Sequence, residues 1–199
     1  MEHPARVDLL SRVPRLGWAV AAAVALGSPP PASGQGITQE EALRLAFPEA
    51  DSVVRRTAYL DDGQLSQARA LAGREAAVES GVVVHYVAFQ DGKPYGVAYF
   101  DAHRVRTLPE VLMVVVGSDA RIRRVEVVRF SEPPEYLPPE GWLRQFHRRT
   151  LDSELSHKTG IANITGATLT ARAATAAARR VLALHQIIAP VSTGGGGRP

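Results

Sequence analysis

Three threonines stand with a glycine in the stretch Ile164-Thr165-Gly166-Ala167-Thr168-Leu169-Thr170, immediately ahead of a long helix-forming run. Residues of these types at this spacing suit the binding of an anion such as a phosphate. Gly166 permits a tight turn and close backbone approach, and Ala167 keeps the neighbourhood small. The first N–H groups of a helix lack partners within it and lie at the positive end of its dipole. Thr165, Thr168 and Thr170 add three hydroxyls. Simple capping of the helix by the same hydroxyls is the competing reading of the pattern.

Other constellations are weaker. His85, His103, His147, His157 and His185 are scattered without the H-E-x-x-H spacing of a zinc site, so no metal is expected. There is no G-x-S-x-G elbow, and Gly92 and Gly96 lack the strand-turn-helix setting of a dinucleotide fingerprint. No catalytic residue is therefore assigned. The 199 residues contain no cysteine. That excludes disulfides, a thiolate nucleophile, cysteine-ligated zinc or iron–sulfur clusters and c-type haem attachment. Redox chemistry would have to come from a bound organic cofactor or another subunit.

The elements that must position the threonine turn follow from periodicity and punctuation. Residues 38–41 form a capping-box pattern opening a short helix closed by Pro48. Residues 53–60 suit a strand, Asp61-Asp62-Gly63 a turn, and residues 65–74 a second helix. Residues 82–89 and 95–100 read as a hairpin about Asp91-Gly92-Lys93. Residues 111–116 are apolar throughout, as in a central strand buried on both faces, and residues 122–130 return beside it. Pro133, Pro134, Pro138 and Pro139 predict an extended, non-helical segment. Residues 142–149 suggest a short helix, with Trp142 and Phe146 read as core rather than ligand contacts. Residues 169–188 are helical, with Ala173, Ala177, Val181, Leu184 and Ile188 on one face. The expected fold class is α+β: an antiparallel sheet with packed helices and a long C-terminal Ala-rich helix after the Thr-Gly-Ala-Thr turn.

Residues 1–34 read as a signal peptide. Arg6, Arg12 and Arg15 precede a 12-residue apolar run, followed by Ser28-Pro29-Pro30-Pro31-Ala32-Ser33-Gly34. Twelve helical residues reach about 18 Å, short of the ~30 Å hydrocarbon core, which favours cleavage over anchoring. An extracytoplasmic location is expected, in the periplasm or at the outer face of the cytoplasmic membrane. One α+β domain would occupy residues 35–188 and a flexible tail 189–199. The formal net charge of +3 falls to +2 once residues 1–34 are set aside. Arginine clusters at 121–124 and 144–149 are interleaved with Glu126, Glu132, Glu135 and Glu140, and no groove-reading or base-stacking motif accompanies them. Nucleic acid is not an expected partner.

Thr-Gly-Ala-Thr-Leu-Thr before an Ala-rich helix resembles the FMN-binding domain family, which includes the FMN-carrying subunits of Rnf-type and Na⁺-translocating quinone reductase complexes. Residues 117–122, the acidic stretch 130–136 and the aromatic stretch 142–146 also resemble family segments, so that the likeness covers an FMN-binding core of about 95–188. The resemblance implies FMN as cofactor, held by Thr165, Gly166, Ala167, Thr168, Leu169 and Thr170. Thr168 would be the acceptor of a phosphoester made by a flavin transferase, and Glu132 and Tyr136 would line the ring site. It further implies an electron carrier exchanging electrons with membrane or extracytoplasmic redox proteins, rather than a substrate-specific enzyme. One position departs from the family pattern: an aspartate usual three residues before the first Ser/Thr is Ala162 here. That departure leaves FMN held without a covalent bond as one alternative, and motivates another, a flavin-free extracytoplasmic binding or assembly module that retains the fold.

Overall fold

A computed structural model describes residues 35–190. The residues read as signal peptide, and the end of the chain from residue 191, lie outside the described residues.

Six antiparallel strands form one sheet in the order β1-β6-β5-β4-β3-β2. They are β1 (Gln35–Gly36), β2 (Ser52–Tyr59), β3 (Val82–Gln90), β4 (Lys93–Arg104), β5 (Pro109–Gly117) and β6 (Ile122–Phe130). β1 is only two residues long, so five strands carry the sheet. The order is a meander from β2 to β6, built from turns that the sequence encodes. Asp91 (φ 50°) and Gly92 (φ 70°) both adopt left-handed backbone between the paired residues Gln90 and Lys93. This is the two-residue geometry that matches strand twist. β5 is the central strand in burial as well as sequence, with Leu112 to Val116 all buried.

Four helices pack around the sheet: α1 (Gln39–Ala46), α2 (Asp62–Ala72), α3 (Glu140–Leu143) and α4 (Thr168–Ile188). The larger core lies on the α4 face, where Val87, Val97, Leu112, Val114 and Val116 meet Ala174, Ala177, Ala178, Val181 and Leu182. On the opposite face, Ala42 and Phe47 cover Ala88, Ala98, Met113 and Val115. The α+β architecture expected from the sequence is the one observed.

Four local expectations are corrected. Asp61-Asp62-Gly63 is not a free turn: Asp61 caps α2, accepting from Gln64 N at 2.8 Å while Gln64 Oε1 accepts from Asp61 N at 3.1 Å. A carboxylate and an amide three residues apart make that reciprocal box, and it outweighs the turn propensity of Asp-Gly. The proline segment is not wholly extended, since Pro134–Tyr136 forms a 3-10 turn between extended Pro133 and Pro139. The helix expected over residues 142–149 divides into α3 and a 3-10 turn at Arg144–Phe146. It stops because Arg148 (φ 63°) turns the chain so that Arg148 N and Arg149 O both bond Ile122. Finally, the buried side of α4 is wider than one stripe. Thr170, Ala171, Ala174, Ala178, Leu182 and His185 are buried, while Ala173, Leu184 and Ile188 are half-buried. α2 packs on a second flank of α4, with Ala68 and Ala72 against Ala183, so burial extends round the helix.

Candidate functional site

The threonine turn is built as a platform. Ala167 N donates to Ile164 O at 3.0 Å, closing a four-residue turn with Gly166 at φ +80° in its third position. That position requires a left-handed residue, and a Cβ on Gly166 would meet nothing within 4 Å, so the space above it is open. α4 then starts at Thr168 with Ala167 as its N-cap, and no side chain caps it. The capping reading of the three hydroxyls therefore does not hold. Thr165 and Thr168 are exposed and their hydroxyls bond no other described residue. Thr170, by contrast, is buried, and its Oγ1 donates to Tyr136 O at 2.9 Å. It ties the helix to the proline segment. Leu169 is 44% exposed. The N–H groups of the first helical turn and two free hydroxyls thus face outward at the positive end of a 21-residue helix.

The preceding segment is pinned from below. Ala162 N donates to Gln145 Oε1 at 2.8 Å, and Trp142 Nε1 donates to Ala162 O at 2.6 Å. Gln145 Nε2 in turn donates to Trp142 O, and Arg149 Nη2 donates to Gly160 O at 2.7 Å. Phe146 is wholly buried and meets the Trp142 ring edge-on, with centroids 5.4 Å apart. Phe146 is core, as read from the sequence. Trp142 does more, since its indole N–H fixes the backbone three residues before Thr165. Replacing Trp142 with phenylalanine is expected to keep the ring packing and lose that bond. The expected cost is about 1 kcal/mol, read as a lowered melting temperature by calorimetry.

Beside the turn runs a groove of about 980 Å³, at the upper end of the range for ligand sites. Leu169, Arg172 and Ala173 of α4 form one side, residues around Val78 and Val82 another, and the end of β4 with Val105 and Pro109 the third. Its surface mixes aliphatic side chains with cations, which suits a flat aromatic ligand carrying negative charge. A smaller cavity of about 280 Å³ adjoins it and shares Glu75, His157, Arg172 and Ala176.

Glu132 is not on the groove surface. It is buried, and its Oε1 accepts from the N–H groups of Arg106, Thr107 and Leu108 at 3.0, 2.7 and 2.8 Å. Bonds from Leu108 and Thr107 above all hold its carboxyl below the usual range, against the effect of burial. Glu132 therefore shapes the β4–β5 loop, part of which walls the groove. Tyr136 lies under the Arg106 guanidinium, 4.8 Å from ring centroid to charge. Replacing Glu132 with glutamine weakens three charge-assisted bonds at once. The expected result is faster amide exchange at residues 106–108, with exchange in β5 unchanged.

Sequence reading missed a buried cluster at the groove wall. His103 Nδ1 lies 2.9 Å from Asp101 Oδ1 and Nε2 lies 2.9 Å from Glu110 Oε2. Arg180 of α4 clamps Asp101 through Nε and Nη2, both at 2.7 Å. Burial disfavours the charged imidazole, but the bonds to Asp101 and Glu110 outweigh it and raise the His103 pKa to about 9. Burial likewise opposes ionisation of Asp101, and Arg180 with His103 brings it down to about 2. The available signal was the register of the β4–β5 hairpin, which sets His103 opposite Glu110 and leaves Asp101 on the same face. His85 is buried in β3 and stacks on Tyr99, whose hydroxyl lies 2.9 Å from His185 Nδ1. No group of three or more metal-holding side chains occurs among the described residues. None of the described helices is long and apolar enough to cross a membrane.

On this α+β domain, an open glycine turn at an uncapped helix start is a geometry that suits a phosphate-bearing ligand. Residues 109–183 match the family model of the FMN-binding domain. The match spans β5, β6, the Trp142 bracket, the threonine turn and most of α4. FMN is the cofactor that the family assigns to it. No curated protein shows significant similarity to the chain.

Proposed function

We propose that the chain is an exported flavoprotein that carries electrons, with FMN fixed by its phosphate at Thr168. The observation that carries the reading is the state of the turn. In a segment matching the FMN-binding domain, Thr168 presents an unengaged, exposed hydroxyl at a helix start that no side chain caps. The residues fit the group. Backbone N–H groups of Thr168, Leu169 and Thr170 would hold phosphate oxygens, Gly166 leaves room for them, and Ala167 closes the turn beneath. The groove beside Leu169 would receive the isoalloxazine ring.

Covalent attachment asks little of this chain. Attachment would join Thr168 Oγ to the FMN phosphorus as the hydroxyl gives up its proton and the phosphoanhydride bond of a flavin dinucleotide, brought by a flavin transferase, breaks to release a nucleoside monophosphate. Ala162, in place of the family's usual aspartate, has both backbone groups held by Trp142 and Gln145. The turn is thus positioned without a carboxylate at that place. When bound, FMN supplies reversible uptake of one or two electrons. The protein's part is to fix the phosphate, wall the ring with the β4–β5 loop that Glu132 holds, and keep one face reachable.

The absence of cysteine leaves the flavin as the only redox group this reading gives the chain, so its partners must be other redox proteins, at the membrane or outside it. The signal-like residues 1–34 support export. The test is intact-mass analysis of the full chain exported from a host with a flavin transferase. The expected mass is that of the chain plus FMN less one water, with the flavin absorbance bands. Non-covalent flavin would keep the absorbance while the denatured mass stays bare. A bare mass without absorbance would favour the flavin-free module that Ala162 suggests.

A further inference from the structure

Charge is layered along one wall of the groove. His103 faces a carboxylate oxygen with each ring nitrogen, so both nitrogens carry protons and the ring is an imidazolium. Arg180 is paired in bidentate fashion with Asp101. The cluster of two cations and two carboxylates has no net charge, but its halves are placed differently. His103 and Arg180 line the groove, whereas Asp101 and Glu110 do not. Glu110 is wholly buried, and its Oε1 has no hydrogen-bond partner. The positive side of the cluster therefore faces the ligand space. Arg172 and Arg104 add to that sign. Of the carboxylates on the same groove, Glu75 is paired with Lys158 at 2.7 Å and Glu79 is exposed.

Net stability does not by itself call for such a cluster. Buried ion pairs are often matched or bettered by apolar side chains of similar volume, and an unpartnered buried carboxylate oxygen is a cost. A function at the groove does give a reason. Two electrons from a donor protein and one proton convert the neutral oxidised ring of FMN into a monoanion, with the charge shared by N1 and the C2 carbonyl oxygen. Fixed cations at that edge favour the anion over the neutral form.

We propose that the His103–Arg180 wall binds the reduced, anionic form of FMN in preference to the oxidised form and so raises the potential of the bound flavin. The proposal rests on the groove being the place of the flavin ring. His103 and Arg180 are its positioning charges, and Glu110 keeps His103 cationic from behind.

The test is a redox titration of the flavin-loaded full chain at pH 7, comparing wild type with His103→Gln and Glu110→Gln. His103→Gln removes a groove-facing cation and should lower the preference for reduced flavin about tenfold, or about 30 mV for a two-electron couple. Glu110→Gln is isosteric and removes an anion behind the wall while Asp101 still holds the His103 proton at pH 7, so it should shift the potential the other way. Opposite shifts in two variants are not what a general loosening of the fold produces. If His103→Gln fails to fold, the rise in Glu110→Gln alone decides. Bound flavin with an unmoved potential in the folded variants overturns the wall and leaves the FMN reading standing. Failure of the wild-type chain to take up flavin overturns the reading, and the wall with it.

Discussion

Replacing Thr168 with alanine is expected to abolish the covalent flavin while leaving the melting temperature of the unflavinylated chain essentially unchanged. The hydroxyl is exposed and bonds no other described residue, and the N-cap of α4 is Ala167, which uses no side chain. Removing it costs no described contact, and alanine has the higher helix propensity. The matching change two residues on behaves in the opposite way. Thr170 is buried with its Oγ1 on Tyr136 O. Thr170→Ala leaves that carbonyl without its donor and should cost about 1–2 kcal/mol. The adduct should survive, since the acceptor is intact. Intact mass and calorimetry on the two variants give a crossed pattern: Thr168→Ala loses flavin and keeps stability, while Thr170→Ala keeps flavin and loses stability. An adduct retained in Thr168→Ala moves the acceptor elsewhere, with Thr165 the nearest other free hydroxyl. Loss of flavin in both would mean that the turn acts as one rigid unit.

That contrast shows how far the sequence reaches into the site. The threonine turn was legible because glycine, small residues and a helix start leave a local signature within seven positions. Which threonine is free and which is structural was not legible. The difference depends on Tyr136, 34 residues earlier in the chain. Glu132 is a similar case. Its position in an acidic stretch suggested the ring site, yet the carboxylate is turned onto three consecutive N–H groups of a loop more than twenty residues away. The β3–β4 and β5–β6 hairpins were readable because the turns between their strands are short and local, whereas β1 beside β6 was not foreseen. By contrast, the helix expected over residues 142–149 failed where Arg148 and Arg149 bond Ile122, a contact absent from local periodicity. Trp142 was read as core, against which it packs, and its bond to Ala162 O connects it to the threonine turn as well. What escaped local reading in these cases was set by a partner distant in sequence.

The same distance hides the group that should dominate the stability of the domain above neutral pH. His103 is an isolated histidine in sequence, and two carboxylates, Asp101 on its own strand and Glu110 on β5, make it an imidazolium. Its pKa is raised to about 9 from the ordinary 6.5. A raised pKa means that the folded state binds the proton more tightly than the unfolded state does. The stabilisation is therefore full below about pH 6.5 and is lost as pH rises towards 9. A shift of that size corresponds to about 3 kcal/mol when fully expressed. His185 has the opposite sign. Burial, helped by the nearby His85, lowers its pKa to about 4, so its contribution is full above pH 6.5 and declines as pH falls to 4. Asp101, held at about 2, adds a second acid loss that begins only below its unfolded value of 3.8. Together these place maximal stability near pH 6.5, with a fall on both sides. A series of thermal melts should show the melting temperature dropping by about 5–10 °C between pH 6.5 and 9. Glu110→Gln removes one of the two carboxylates that hold the His103 proton, so in that variant the alkaline fall should begin at lower pH and be shallower. The acid limb, which belongs to His185 and Asp101, should stay where it is. An alkaline limb identical in wild type and variant would assign the loss to another group and remove the charged imidazole from the folded state.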